Sequence, residues 1–133
     1  MEIGQRLYEA AIDLIENRYP TGWGGATAAF TEDGEILTSV APEVINAGTE
    51  LCIETGAILE AHKLNAKITH TICVVRDDEN LGFKILTPCG ICQERFRYWG
   101  TDLKAAVTNP NGDLVFKTLK ELQPFHWLEA YEE

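Results

Sequence analysis

Cys52, Glu54, Cys89 and Cys92 are the residues of this chain whose types and spacing can do chemistry, standing as Cys52-Ile53-Glu54 and Pro88-Cys89-Gly90-Ile91-Cys92. A helix beginning near Pro88 places Cys89 and Cys92 on one face, where first-turn N–H groups and the positive end of the helix dipole favour thiolates. Cys52, at the start of a second helix, can bring a third thiolate with the same help. Three protein ligands leave the fourth tetrahedral position of a zinc ion open to water, as a catalytic site requires. Glu54 would project beside such a metal and not onto it, close enough to take a proton from the water and pass it on. A Cys-x-x-Cys pair alone also suits a redox motif or half a structural zinc knot. A structural site wants a fourth Cys or His, and Cys73, the one spare thiol, lies inside the apolar run Thr71-Ile72-Cys73-Val74-Val75, where it reads as a core residue.

The elements that must hold these residues follow from the hydrophobic pattern. Ile3, Leu7, Ala10, Ala11, Leu14 and Ile15 recur at helical spacing, which predicts an amphipathic helix ending near Asn17, before Pro20, Gly22, Gly24 and Gly25. Residues 26–31 and 35–40, parted by Glu32-Asp33-Gly34, form a hairpin. Asn46-Ala47-Gly48-Thr49 supplies turn and cap residues for a helix over about 49–63, with Cys52 in its first turn. Ile68 to Val75 is a buried strand, and Thr87-Pro88 opens a helix to about residue 98 with Pro88 in a first-turn position. Two more strands, Leu103–Thr108 and Leu114–Lys117, flank the turn Asn109-Pro110-Asn111-Gly112, and the tail from Thr118 is helical with a break at Pro124. This order implies one sheet with helices on both faces, and the length suits one domain, residues 1–133.

Twenty-one acidic residues against 11 basic give a formal charge of −10, which repels phosphate backbones and anionic lipid and argues against a nucleic-acid groove. The first residues carry Glu2 and Glu9 in place of a basic cap, and no apolar run approaches the roughly 18 residues of a membrane span, so a cytoplasmic protein with no membrane partner is expected. In that compartment cysteines serve metals or catalysis more than disulfides.

Cys-x-Glu followed after a gap by Pro-Cys-x-x-Cys resembles the signature of zinc nucleoside and base deaminases. With three cysteines it is similar to the small tetrameric cytidine deaminases and the related blasticidin S deaminases. The resemblance runs over nearly the whole chain, since Thr31-Glu32-Asp33-Gly34 and Ile36-Leu37-Thr38 look like the family's first hairpin. It implies an α/β three-layer sandwich with a mixed five-stranded sheet and helices on both faces, one Zn2+ per subunit and a homotetramer. The implied reaction is hydrolytic deamination of cytidine or deoxycytidine, with Cys52, Cys89 and Cys92 on the metal and Glu54 as the catalytic acid-base group. Blasticidin S is the alternative aminopyrimidine nucleoside substrate.

By the same resemblance Trp23 falls where an aromatic packs on the pyrimidine, and Glu43, nine residues before Cys52, where a carboxylate binds ribose. Phe125, after Leu122-Gln123-Pro124, resembles the aromatic that closes the site from a neighbouring subunit. Trp23 also reads as a core aromatic, Glu43 as an exposed carboxylate, and Phe125, His126 and Trp127 as a hydrophobic anchor for the tail. Three departures from the family pattern stand out: Ala41 in place of an Asn that holds the sugar, Thr55 in place of an Arg that offsets the third thiolate, and Gln93-Glu94 in place of Arg-Gln. His62, His70 and His126 are not at ligand spacing from the cysteines and are read as surface or edge residues. Residues Glu129 to Glu133 are read as a solvated end. From a different class, a non-catalytic zinc module could use the metal for folding and the acidic surface for a protein partner; only the enzyme reading makes Glu54 indispensable to turnover.

Overall fold

The computed structural model describes residues 2–131, so the last two glutamates of the expected solvated end lie outside the described residues. Along the chain come α1 (Ile3–Arg18), β1 (Gly24–Thr31), β2 (Ile36–Ser39), α2 (Thr55–Leu64), β3 (Ile68–Arg76), β4 (Lys84–Ile85), α3 (Gly90–Phe96), β5 (Lys104–Ala106), β6 (Phe116–Thr118) and α4 (Leu119–Leu122). Single 3-10 turns cover Ala47–Thr49, Arg97–Trp99 and Trp127–Tyr131. Among the described residues no helix is long and apolar enough to cross a membrane.

The sheet is mixed. Its order is β2-β1-β3-β5-β6, with β3 and β5 parallel and the other pairs antiparallel. It has six strands where five were expected, because Lys84 and Ile85 pair with Val75 and Val74 of β3. A two-residue strand has too few side chains to show a period-two pattern, which is why no local signal marks it.

Alternation along β1 and β3 separates two cores. On one side Ala26, Ala28, Ile72 and Val74 meet Leu7, Ala11 and Ile15, which lie one helical turn apart on α1 and are fully buried. On the other, Ala29 and Ile68 meet Ala57, Ile58 and Ala61 of α2, Cys92 and Phe96 of α3, and Leu119 of α4. Helices therefore cover both faces, as expected. The small residues of β1 let the helices sit close to the sheet, and the second core presses α2 and α3 together beside the cysteines.

Two helix starts differ from expectation. Asn46 does cap, accepting from the Gly48 N–H at 3.0 Å, but it starts only a 3-10 turn. The backbone turns extended again at Glu50, and α2 begins at Thr55 with Glu54 as its N-cap. The Ser39 hydroxyl takes the Ile53 carbonyl at 2.7 Å, an acceptor that a helix running through Ile53 would use for its own ladder. Gly56 permits this approach of β2, since a methyl group there would lie 2.7 Å from Ser39 Cβ. Cys52 therefore precedes the helix and is not in its first turn. Likewise α3 begins at Gly90 with Cys89 as N-cap, two residues beyond Pro88.

Of the histidines, His62 is exposed against Tyr98 and Trp99, as read from sequence. His126 instead has a side chain only 4% exposed, and His70 is half-buried in the interior strand β3, edge-on to Phe30 and Phe116. Burial, and then the Lys104 charge, hold the His70 imidazole below the ordinary value of 6.5. The folded state thus binds that proton less readily than the unfolded chain, so stability is full above about 6.5 and is lost as pH falls through the lower folded value. The melting temperature should fall between about pH 7 and pH 5, and less steeply in His70→Gln. Parallel slopes in the two proteins would remove His70 from the account.

Candidate metal centre and active site

The site is built where the loop before α2 meets the start of α3. The Sγ atoms of Cys52, Cys89 and Cys92 all lie within 4.8 Å of one another, with Cys52 and Cys89 3.4 Å apart. A tetrahedral zinc with bonds of about 2.3 Å needs sulfurs about 3.8 Å apart, so the triangle is of the right size, and its all-sulfur donor set suits that ion. Exposure is graded: Cys92 is buried, Cys52 half-buried and Cys89 exposed. One side of the cluster therefore faces the protein and the other faces out.

Electrostatics divide the thiols. Burial works to raise Cys89, yet the Cys92 N–H, the Cys52 and Cys92 thiols and the Ile91 N–H outweigh it and leave its pKa below the ordinary value. These N–H groups belong to the first turn of α3, which is the stabilisation expected at an N-cap. Cys52 is raised because its hydrogen bond to Cys89 favours the thiol form, with burial adding to that. Burial, followed by the negative charge of Glu54, raises Cys92 strongly. Without a cation the three cannot all be thiolates; a divalent ion would remove that conflict.

Glu54 is 5% exposed and makes no side-chain cap bond to its own helix, so its carboxylate is free to act in the cluster. Burial raises its pKa, opposed in part by its own backbone N–H and by the Cys92 thiol. Cys73 is buried on β3, as read from sequence, but it is also close enough to feel the cluster. Burial first and then the Glu54 charge push it up to about 12, which keeps it a neutral thiol.

Known proteins decide the family. A blasticidin-S deaminase from Bacillus cereus is 30% identical over 126 residues, covering 91% of this chain and 89% of that one. The crystal structure of a cytidine deaminase from Bacillus anthracis is 60% identical and superposes with a TM-score of 0.96, covering 98% of this chain and 93% of the other. The chain belongs to the cytidine deaminase family. A cytidine deaminase structure from Mycobacterium leprae, 26% identical, has a TM-score of 0.71 over 93% of this chain and 99% of that one. No protein-family model matches the sequence. Deamination is the activity these relatives support.

Within this cytidine deaminase family chain, Trp23 and Ile53, the residue between Cys52 and Glu54, both come down on Gly25 of β1. A methyl group on Gly25 would lie 2.8 Å from the indole and 3.0 Å from Ile53 Cδ1, so Gly25 is what lets the ring fold down onto β1 beside Cys52-Ile53-Glu54. The ring is nonetheless 47% exposed and meets Tyr19 edge-on, so it is not a core aromatic. Glu43 is exposed and pairs with Arg18 at 3.6 Å, away from the thiols in its contacts. Phe125 is 96% exposed. The grooves of about 290, 460 and 350 Å3 at Lys67–Lys104, at the start of α1 and at the turn 108–112 are not bordered by any of the cysteines or Glu54.

Two links to α3 could not be read from the sequence. Where the family commonly has an Arg after the catalytic Glu, Arg95 of α3 reaches across and donates to the Thr55 hydroxyl at 3.3 Å. Glu94, one of the departures after Cys92, pairs with His126 and ties the tail to α3, helped by Arg97 donating to Gln123 at 3.2 Å. Both join residues far apart in sequence, and neither leaves a spacing pattern.

Proposed function

We propose that this chain catalyses zinc-dependent hydrolytic deamination of cytidine and deoxycytidine, giving the uridine product and ammonia. The observation that carries the reading is the three-thiol triangle with a buried, unpaired-cap carboxylate, Glu54, set beside it. Cys52, Cys89 and Cys92 would hold the zinc. Bound there, zinc would lower the pKa of a water from its bulk value to roughly neutral, making it a nucleophile at ordinary pH. Glu54 accepts the proton of the attacking water and returns protons to the ring nitrogen and to the departing amine. Burial disfavours its anion, which makes it a better base than an exposed carboxylate. Trp23 packs on the ring face, Glu43 turns from Arg18 to the sugar, and Phe125 closes the site from a neighbouring subunit.

Blasticidin S is the second substrate reading, favoured by the curated relative of that activity and by Ala41, which removes one sugar contact. Spectrophotometric assay of purified protein with cytidine, deoxycytidine, cytosine and blasticidin S separates the two. Turnover of the nucleosides and not of blasticidin S supports the first. Turnover of none of the four would sink both.

The tail supports a homotetramer built of two-fold pairs. It is docked to α3 by polar contacts, yet Phe125, Trp127 and Tyr131 are 96%, 64% and 79% exposed. Rings so displayed on an anchored segment are suited to burial against another subunit. Truncation after Gln123 is expected to weaken assembly and raise KM together, with zinc retained because its ligands lie within one chain. Light scattering coupled to size exclusion reads the assembly. A full-length monomer with full efficiency would overturn it.

A further inference from the structure

Arg76 ends β3 and is 4% exposed. Among the described residues it has no carboxylate partner at ion-pair distance. A buried guanidinium costs several kcal/mol in lost hydration unless its donors are used, and a well-packed apolar side chain usually fills such a place more cheaply. Two of its five N–H donors go to main-chain carbonyls of one turn: Nε donates to Gly22 O at 3.2 Å and Nη2 donates to Tyr19 O. From the neighbouring loop the Glu79 carboxylate accepts the Gly22 N–H, so both polar groups of Gly22 are held. Gly22 has φ +77°, a conformation that glycine takes without strain.

The residue after this clamped glycine is Trp23, and the one after that, Gly24, pairs across the sheet with Arg76 itself. The backbone on both sides of Trp23 is thus fixed to the end of β3. Tyr19, whose carbonyl Arg76 holds, also supplies the ring that meets the indole at 5.7 Å and 70°. Ile53, between Cys52 and Glu54, reaches the same point above Gly25 as the indole does. Resting on the reading of Trp23 as the wall of the substrate site, we propose that Arg76 is a positioning residue for substrate binding, clamping the Tyr19–Gly22 turn so that the half-exposed indole faces the metal motif. Glu79 is the second half of the clamp. Neither touches the reacting atoms; both act through Trp23.

The fork of the guanidinium is the operative feature, because it holds two donors on separate nitrogens in one rigid plane, whereas an ammonium offers its donors from a single nitrogen on a flexible stem. Arg76→Lys should raise KM for cytidine about tenfold and leave kcat within about twofold, as expected when ground-state and transition-state binding are lost together. Bound metal should be unchanged. In protein carrying fluorotryptophan, the Trp23 fluorine resonance, assigned by its loss in Trp23→Phe, should shift or broaden, with the Trp99 and Trp127 lines unmoved. Glu79→Ala, at an exposed position that does not threaten folding, should act in the same direction with smaller effect. In a Trp23→Ala background Arg76→Lys should add nothing further to KM.

An unmoved Trp23 line and unchanged KM in both single variants would overturn the proposal, as would a full additional loss in the Trp23→Ala background. If Trp23→Ala itself leaves KM unchanged, the wall reading falls and this inference falls with it. A raised KM in Trp23→Ala beside silent Arg76 and Glu79 variants removes only the clamp.

Discussion

Glu54→Gln is expected to keep its metal and its melting temperature and to lose turnover by about 10²–10⁴-fold, the range over which a positioned proton carrier contributes. The amide preserves the shape of a side chain that is 5% exposed, so neither a cavity nor a buried charge is introduced. It also costs no helix cap, since Glu54 makes no side-chain cap bond to α2. What it removes is the ability to accept a proton. Because burial raises the Glu54 pKa, the working anion is lost as pH falls through a value above the usual carboxylate range. The acid limb of kcat/KM seen in the wild type should vanish in the variant's residual rate. Rates across pH, with elemental analysis and thermal melts on both proteins, make the test. A near-normal rate removes Glu54 from the chemistry, and loss of folding would make it structural.

Each half of the thiol cluster was legible in the sequence because its geometry is local, and the family resemblance joined the halves across 37 residues. Cys89 and Cys92 are three apart at the start of one short helix, and Cys52-x-Glu54 sits against the start of another, so spacing alone brings ligands and carboxylate to two helix ends. Both cores were legible in their helices, since Leu7, Ala11 and Ile15 repeat along α1 and Ala57, Ile58 and Ala61 along α2. The start of α2 was not. Asn46 is a sound capping residue, but the Ser39 hydroxyl, brought in by β2, takes the Ile53 carbonyl, and the helix begins at Thr55. Arg76 was illegible for the same reason: a basic residue ending a strand reads as solvated, and it is buried only because a turn 54 residues earlier folds over it. His126 reads as a tail residue until Glu94 closes on it. In each case the deciding contact is a side chain meeting backbone or side chain far away along the chain, which no periodicity encodes.

Removing the metal should have an effect on turnover as complete as removing Glu54, and unlike that substitution it should also reach the fold. Cys89→Ser is the cleanest variant. Cys89 is exposed, so the change opens no cavity, whereas Cys92 is buried in the core beside Phe96 and its replacement would mix packing loss with ligand loss. The serine hydroxyl is a poor ligand, so the protein should hold less than one zinc per chain, show negligible turnover and melt at the temperature of chelator-treated wild type. Binding and folding are coupled because the three sulfurs tie the loop before α2 to α3, and without an ion the raised Cys52 and Cys92 thiols contribute no charge to that link. Loading the site must expel those protons. Zinc affinity should therefore fall as pH is lowered, whereas a site made from preformed anions would hold its affinity until its own groups began to take up protons. Competition titration with a chromogenic chelator at several pH values measures it, and melts with and without chelator measure the coupling. Turnover surviving complete removal of the metal would refute the zinc assignment; a melting temperature indifferent to the chelator would confine the metal to chemistry and leave the junction of α2 and α3 to hydrophobic packing.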